Sequence, residues 1–281
     1  MRWPSNERPA GRFATNAEER STAGGPGSDA FARLYDLDLA EDPGDLDLYL
    51  ALASRTGGPV LELGAGTGRL AIPIAEAGHS VTAVDRDPAA LERARARLAT
   101  AGTAVARRVS LVEADMTTLR LPNAGDYKFG FIALNSLLLL GQRDRQVAAL
   151  RVLASHLARG GVAAVDVWIP DAEDLGRFDG RLSLEYARAD PLTGRVVTKL
   201  SSARHDAASG IVELTVIYDE AAPGEAPARW LRTDRLRLVG ADDLVGMAES
   251  VGLRVETLAG DHALTPLGVG SERAVLVAVR P

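Results

Sequence analysis

The sequence contains no cysteine. Disulfides, thiolate nucleophiles and cysteine-ligated zinc are therefore excluded, and the lack is compatible with a reducing compartment. Long apolar runs are missing too. The longest clear one, FIALNSLLLL, is short and interrupted by Asn135 and Ser136, so no membrane helix is expected. The N-terminus has no apolar core of the kind that marks a signal peptide, and a cytoplasmic location is expected. Basic residues never run longer than two, and the net charge is −6. Generic attraction to nucleic acid or to an anionic membrane is not expected; a local basic groove stays open.

What is present suits a globular enzyme or binding protein. Hydrophobic residues make up 46% of 281 positions, enough for one large or two small domains with a core. Residues 1–29 are polar, end in TAGGPGSD and lack periodicity, and are read as a disordered tail. From Phe31 onward the chain alternates element types. A helix is expected near Leu46 to Ser54. PVLEL is a buried strand, and Arg69 to Glu76 a helix that tolerates Pro73 in its first turn. SVTAVD is a second strand, followed by Asp87-Pro88, an N-cap with proline at the first helical position. The helix behind it places Leu91, Ala94 and Leu98 on one face. VSLVEAD and KFGFIAL are strands three and four. A helix with Val147, Leu150, Ala154 and Leu157 on one face is expected to stop at Gly160-Gly161, and VAAVDVW is strand five. Strands alternating with helices predict a parallel sheet covered on both faces.

After Pro170 the pattern changes. Four extended segments follow, broken by DPLTG, DAASG and AAPGEAP. In the third, Val212, Leu214, Val216 and Tyr218 share a face opposite Glu213 and Thr215, which predicts an antiparallel meander covered on one side. A helix carrying Leu244, Met247 and Val251 then ends at Gly252, and LRVETL and RAVLVAV are expected to rejoin the main sheet.

The chemistry concentrates after strand one, in VLELGAGTGR. Glycines 64, 66 and 68 let a backbone approach a ligand closely at the carboxyl end of the sheet. Asp85 closes strand two, where an acid accepts hydrogen bonds from ribose hydroxyls. A plain turn acid is the other reading of Asp85, but Asp87 already fills the capping role. The dinucleotide fingerprint spaces its glycines G-x-G-x-x-G. Here the spacing is E-x-G-x-G-x-G, with an acid after strand three, Asp115 in VEADM.

This combination resembles the class I S-adenosylmethionine-dependent methyltransferases, from about Phe31 to Pro281. YDLDLAEDPGDLDLYLALA, NSLLLL, HLARGGVAAVDVWIPD and ADPLTGRVV extend the resemblance to a bacterial small-molecule branch, similar in architecture to amino-sugar N,N-dimethyltransferases. The resemblance implies an α/β fold: a Rossmann-like, doubly wound, mostly parallel seven-stranded sheet with an antiparallel β-meander insertion before the last two strands. It divides the chain into a cofactor-binding core (30–170), the insertion (171–240) and a closing helix and strands (241–281). It implies S-adenosylmethionine as cofactor and a small-molecule methyl acceptor as partner, with N or O methylated; a homo-oligomer is among the states left open.

By the same resemblance Gly64, Ala65, Gly66 and Gly68 would meet the methionine part, and Glu62 its amino group. Asp85, with Arg86, would hold the ribose; Asp115 would meet the adenine amino group with Met116 against the ring. Tyr35 would cap the cofactor, and Asn135 would lie beneath the reacting centre. Tyr35 also reads as an aromatic in an amphipathic helix, and Asn135 as a satisfied polar group at a strand end. Trp168, which closes strand five with Asp166, reads either as an acceptor-pocket wall or as packing. Base candidates are poor: His156 and His79 look structural, while His205 and His262 could reach the mouth.

Three rivals stay open. A nicotinamide oxidoreductase shares the fold, but the glycine spacing and Asp115 count against it. A nucleobase methyltransferase is disfavoured by LNSL after strand four and by the acidic charge. A catalytically silent cofactor-binding scaffold would keep the same glycines and Asp85.

Overall fold

The computed structural model describes residues 28–39 and 43–281. The tail expected over residues 1–29 lies outside the described residues up to 27; Ser28 and Asp29 already belong to a helix. Two helices, α1 (Ser28–Asp38) and α2 (Leu46–Thr56), precede the alternating part. That part runs β1 (Val60–Leu63), α3 (Ala71–Glu76), β2 (Val81–Asp85), α4 (Pro88–Ala101), α5 (Thr103–Ala106), β3 (Val109–Glu113), β4 (Tyr127–Ile132), α6 (Arg143–His156), β5 (Leu157–Trp168) and α7 (Ala172–Arg177). The meander is β6 (Asp179–Ala189), β7 (Val196–Asp206), β8 (Ile211–Ala221) and β9 (Ala228–Arg237). The chain closes with α8 (Ala241–Ser250), β10 (Arg254–Ala259) and β11 (Arg273–Val279).

The seven-stranded sheet has the order β10-β11-β5-β4-β1-β2-β3. β11 is antiparallel to both its neighbours, and the pairs from β5 to β3 are parallel. Chain order reverses beside β1, so the carboxyl end of β1 opens into a crevice. Alternate residues supply two cores. Leu61 and Leu63 pack with Leu150 and Leu153 of α6 and Leu244 and Met247 of α8. Val60, Phe129 and Phe131 face Tyr49 and Leu52 of α2 and Ile74 of α3. Each such side chain, fully buried, contributes about 1.5–3 kcal/mol. Asp87 caps α4 as expected, its carboxylate accepting the Ala89 amide at 3.0 Å. No helix among the described residues is long and apolar enough to cross a membrane.

Two elements depart from the sequence reading. Helix α6 ends at His156 rather than at Gly160-Gly161. Leu157 is already extended, at φ −69° and ψ 145°, and pairs with Tyr127 before the register jumps to Phe129 opposite Val162. The glycine pair belongs to this irregularity, since a Cβ on Gly161 would lie 2.9 Å from the carbonyl oxygens of both Ala158 and Tyr127. A fully buried leucine satisfies helix and strand alike, so apolar spacing does not separate them. Helix α7, capped by the Asp171 side chain on the Asp174 amide, has no buried face and gave no periodic signal.

The meander is covered on one side, as expected, and α1 is part of its cover. Leu34 and Leu37 pack against Val197, Val216 and Tyr218. On its opposite flank α1 sets Ala32 against Ala89 and Ala90 of α4. Polar anchors follow the same division. Asp38 accepts from Tyr186 Oη at 2.5 Å, Tyr218 Oη at 2.6 Å and Lys199 Nζ at 2.7 Å. Arg33 donates to Asp190 and Glu220. Toward the core, Asp36 accepts from Arg93 and from the Thr67 hydroxyl. A second tie is Gln146, fully buried, whose amide donates to the Leu137 and Arg237 carbonyls at 3.2 and 3.0 Å.

Asp38→Ala should free α1 without unfolding the sheet. Charge-assisted bonds of roughly 1.5–3 kcal/mol are lost, so amide exchange in α1 should accelerate by about one to two powers of ten. Amides in β1 and β4 should keep their wild-type rates. Hydrogen–deuterium exchange read by mass spectrometry checks this; equal acceleration in both regions would count against the anchor.

Candidate functional site

At the end of β1 the backbone turns through Gly64, Gly66 and Gly68, whose φ angles are +84°, +54° and +78°. Gly64 also has no room for a side chain: a Cβ would lie 3.0 Å from Ser136 and 3.1 Å from Met116 Cε. The turn is locked from β2. Asp85 accepts the Gly66 amide at 2.7 Å and the Asp87 amide at 2.9 Å, one on each carboxylate oxygen. Burial raises the pKa of Asp85 against the opposing pull of those amides.

Glu62 lies within β1 and is 3% exposed. Its Oε2 has no hydrogen-bond partner among the described residues, and burial pushes its pKa up to about 8 although Arg69 opposes the shift. Arg69 itself is held by two 2.6 Å bonds to the fully buried Asp45. Asp115, after β3, differs. Burial acts to raise its pKa, but the Thr117 hydroxyl and amide and the Arg145 and Arg86 guanidinium groups outweigh it, and the pKa falls below the usual range.

These elements border one open cleft holding about 1210 Å³ of space, mouth included. Of the residues expected in the site, Tyr35, Gly64, Gly66, Asp85, Arg86, Asp115 and Met116 line it. Tyr35 exposes 38% of its surface into the cleft, yet protein surrounds its ring closely enough that burial pushes its pKa up to about 12.

The other expected residues stand off the wall. Glu62 and Ala65 are buried in the strand and the turn. Gly68 faces Ile72 and Ala94, where a Cβ would meet atoms at 3.3 and 3.4 Å, and so serves the packing of the following helices. Asn135 has φ +66° and follows Leu134 at +42°, two non-glycine residues in the left-handed region, a strain that concentrates at functional sites. Its side-chain oxygen accepts the Trp168 amide at 2.6 Å. The Trp168 ring packs on Phe178, centroids 5.7 Å apart.

None of the four histidines lines the cleft. His156 is a structural residue: Nε2 accepts the Leu121 amide at 3.2 Å and Nδ1 lies 2.7 Å from the Val152 carbonyl. His262 Nε2 lies 3.0 Å from the fully buried Asp166, which also takes Arg273 at 2.7 Å.

Several wall residues went unread in the sequence. Phe31 joins Tyr35 from α1, and Leu139 and Leu140 come from the turn after β4. Arg232 and Asp234 come from β9, so the meander completes the cleft. Strand alternation could have placed Arg232 and Asp234 on one face, but nothing local says that this face meets the crevice.

The residues suit S-adenosylmethionine. Gly64 is a cradle that a Cβ would fill, Glu62 offers an orphaned buried oxygen beneath the turn, and two acids close adjacent strands. Comparison with known proteins agrees. Residues 60–161 match the family described as methyltransferase domain. The cypemycin N-terminal methyltransferase of Streptomyces sp. is 28% identical over 233 residues, 80% of this chain and 84% of that one. Among solved structures, the CcbJ methyltransferase of Streptomyces caelestis superposes with a TM-score of 0.71 at 24% identity, covering 86% of this chain and 98% of that one. CalS10 of Micromonospora echinaspora, an amino pentose methyltransferase solved with S-adenosylmethionine bound, gives 0.66 at 18% identity, covering 88% and 97%. The nicotinamide reading loses ground to this match: residues 60–161 match a methyltransferase domain, and the chain as a whole has the fold of the S-adenosylmethionine-dependent methyltransferases.

Proposed function

We propose that the enzyme methylates an amine nitrogen of a small molecule by in-line displacement. The observation that carries this reading is the wall of the cleft. It bears no histidine, and its four carboxylates are engaged: Asp85 and Asp87 by backbone amides, Asp115 and Asp234 by arginines. An alcohol would want a positioned base, whereas an amine supplies its own lone pair once in its free-base form. The names of the similar proteins point the same way, one acting on an N-terminus and another on an amino pentose.

When bound, S-adenosylmethionine supplies a methyl already activated on a sulfonium. The chain's part is position and electrostatics. Gly64 and Gly66 give backbone access, Glu62 lies beneath for the methionine ammonium, and Asp85 is placed for the ribose. Asp115 and Met116 flank the adenine side. Tyr35, Phe31 and Arg232 border the mouth opposite, where an acceptor would be held. Holding two reactants in alignment contributes on the order of 7–11 kcal/mol. Incubation with the cofactor and a bacterial metabolite extract, read by mass and NMR, tests the acceptor. Methyl gain on nitrogen is expected; methyl gain on oxygen alone would overturn the amine.

Asp85→Ala removes an acceptor of two ribose hydrogen bonds at roughly 1.5–3 kcal/mol each, so cofactor affinity should fall by about two to four powers of ten. It also strips the Gly66 and Asp87 amides of their partner, so Asp85→Asn, which keeps an acceptor oxygen, separates the two effects and should be milder. Calorimetry with circular dichroism as the folding control measures both. Wild-type affinity in folded Asp85→Ala would remove Asp85 from the site.

Glu62 makes stability depend on pH. Its pKa is raised from 4.5 to about 8, so between those values the folded protein holds a proton that the unfolded chain releases. The stability of the ligand-free protein should therefore fall as pH rises through that window. Glu62→Gln, which carries no such proton, should melt higher than wild type at pH 8, and the gap should close toward pH 5. Thermal melts across the range check the sign; a gap that widens toward low pH would contradict it.

A further inference from the structure

We propose that the free edge of β9 is a docking strand for an extended peptide, whose N-terminal α-amine it delivers into the cleft. This rests on the amine reading above and names the class of acceptor. β9 ends the order β6-β7-β8-β9 and pairs with β8 alone. The direction of its backbone groups follows from its far end. The Arg237 carbonyl accepts from Gln146 of α6 at 3.0 Å. The Arg235 carbonyl meets the turn after β4, 3.2 Å from where a Cβ on Gly141 would sit. Both therefore point away from β8. The register of β9 on β8 is unbroken, so alternation turns the N–H and C=O groups of Thr233, Leu231 and Arg229 outward as well. Among the described residues nothing pairs with these groups, and all three residues are exposed. Sheets ordinarily guard such an edge with irregularity. The opposite edge, β6, pairs with two register shifts; β9 has none.

The open stretch runs into the cleft. Thr233 and Asp234 line it beside Leu139 and Leu140. The turn that carries those leucines begins at Ser136, 3.0 Å from where a Cβ on Gly64 would sit. A peptide pairing antiparallel to β9 enters this end with its N-terminus foremost. Its second residue lies opposite Thr233 and its fourth opposite Leu231, and each exchanges an N–H and a C=O with the edge. Its first residue then lies beside Asp234, an acid next to the incoming ammonium end. The wall's lack of an unengaged base suits such an acceptor. An α-amine has a pKa of about 7.7–8.0, against about 10.4 for a lysine side chain. Near pH 7.5 roughly a third of an α-amine is already free base, but only about one lysine amine in a thousand. The nitrogen lone pair forms the new N–C bond, and the electron pair of the broken C–S bond stays with sulfur. The ammonium so formed releases its proton to water.

The full chain with S-adenosylmethionine is offered a hexapeptide mixture, randomised after an N-terminal alanine, the same mixture N-acetylated, and an amino sugar. Mass spectrometry reads methyl gain. The free peptides should be methylated at their N-termini and the acetylated ones not at all. The best member is then remade with single backbone N-methyl groups. On the fourth residue, whose N–H faces Leu231, the group should lower kcat/KM by about tenfold or more; on the fifth, whose N–H points away, by about threefold at most. Leu231→Pro removes the matching N–H from the protein at an edge position where proline is tolerated. It should lower peptide kcat/KM by about tenfold. Its affinity for S-adenosylhomocysteine by calorimetry should stay at the wild-type value, with circular dichroism as the folding control. Peptides left unmethylated would overturn the proposal, and methylation of the amino sugar in that same case would leave the amine reading standing. Equal losses from the two N-methyl positions would also overturn it. Peptide methylation gained only on deletion of residues 1–25 would assign the edge to the chain's own N-terminal segment instead.

Discussion

The cleft depends on one carboxylate that holds two turns. β1 and β2 end side by side, and each must reverse its chain there. Asp85 takes an amide from either reversal, Gly66 from the first and Asp87 from the second. Burying a carboxylate is costly unless hydrogen bonds replace its water, and these two amides are that replacement. The left-handed glycine turn and the start of α4 are thereby set against each other. The floor at Gly64, the wall at Arg86 and the cap at Asp87 inherit their places from the same group. A ligand hydroxyl meeting Asp85 would meet an acceptor whose orientation is already fixed.

Acids crowd this crevice, yet their charges are not equivalent. Asp115 is ion-paired to Arg145 at 2.8 Å and Asp234 to Arg232 at 2.7 Å. Asp85 relies on amides, and Glu62 has an oxygen with no hydrogen-bond partner among the described residues. The acids without an ion-pair partner among the described residues therefore lie together at the end of β1 and β2, with raised pKa values, while those of the outer wall are paired. A cationic ligand entering toward Glu62 would favour the ionised form of a carboxyl that burial otherwise keeps protonated. The acids' pKa values part in the same sense: Asp115 is lowered, Glu62 and Asp85 are raised.

What could be read in the sequence is what short range decides. The glycine spacing, the Asp87-Pro88 cap and the alternation of VLEL, VTAVD and VAAVDV each concern neighbours within one or two turns of chain, and each appears in the structure where the residues place it. Leu157 was misjudged because burial is common to helix and strand. Half the cleft was hidden for another reason. Arg232, Asp234 and Phe31 come from elements whose partners lie far away in sequence, with Tyr218 meeting Asp38 across 180 positions. The meander reads as a one-sided sheet, but the sequence around it does not name α1 as the element that covers that side. Asn135 shows the limit differently: its residue type suits a ligand or a strand-end cap, and its side-chain oxygen accepts the Trp168 amide.

Helix α1 lies between the meander and the core and packs against both. Its ties to the meander are many: Leu34 and Leu37 in a shared apolar cluster, three donors on Asp38, and Arg33 between Asp190 and Glu220. Its ties to the core are fewer and wetter. Asp36 meets Arg93 and Thr67, and the side chains of Asp36 and Arg93 are 23% and 26% exposed. Partly exposed ion pairs are weak, whereas the Asp38 bonds converge on two phenols that the same helix helps to bury. Helix α1 therefore bridges the two, with its polar anchors on the meander and its flank packed against α4 of the core. The seam of least resistance runs between α1 and the glycine turn, with Tyr35 on one side and Gly66 on the other, a Cβ's reach of 3.8 Å apart. That seam borders the cleft, so both Tyr35 and Gly66 face the space a ligand would fill.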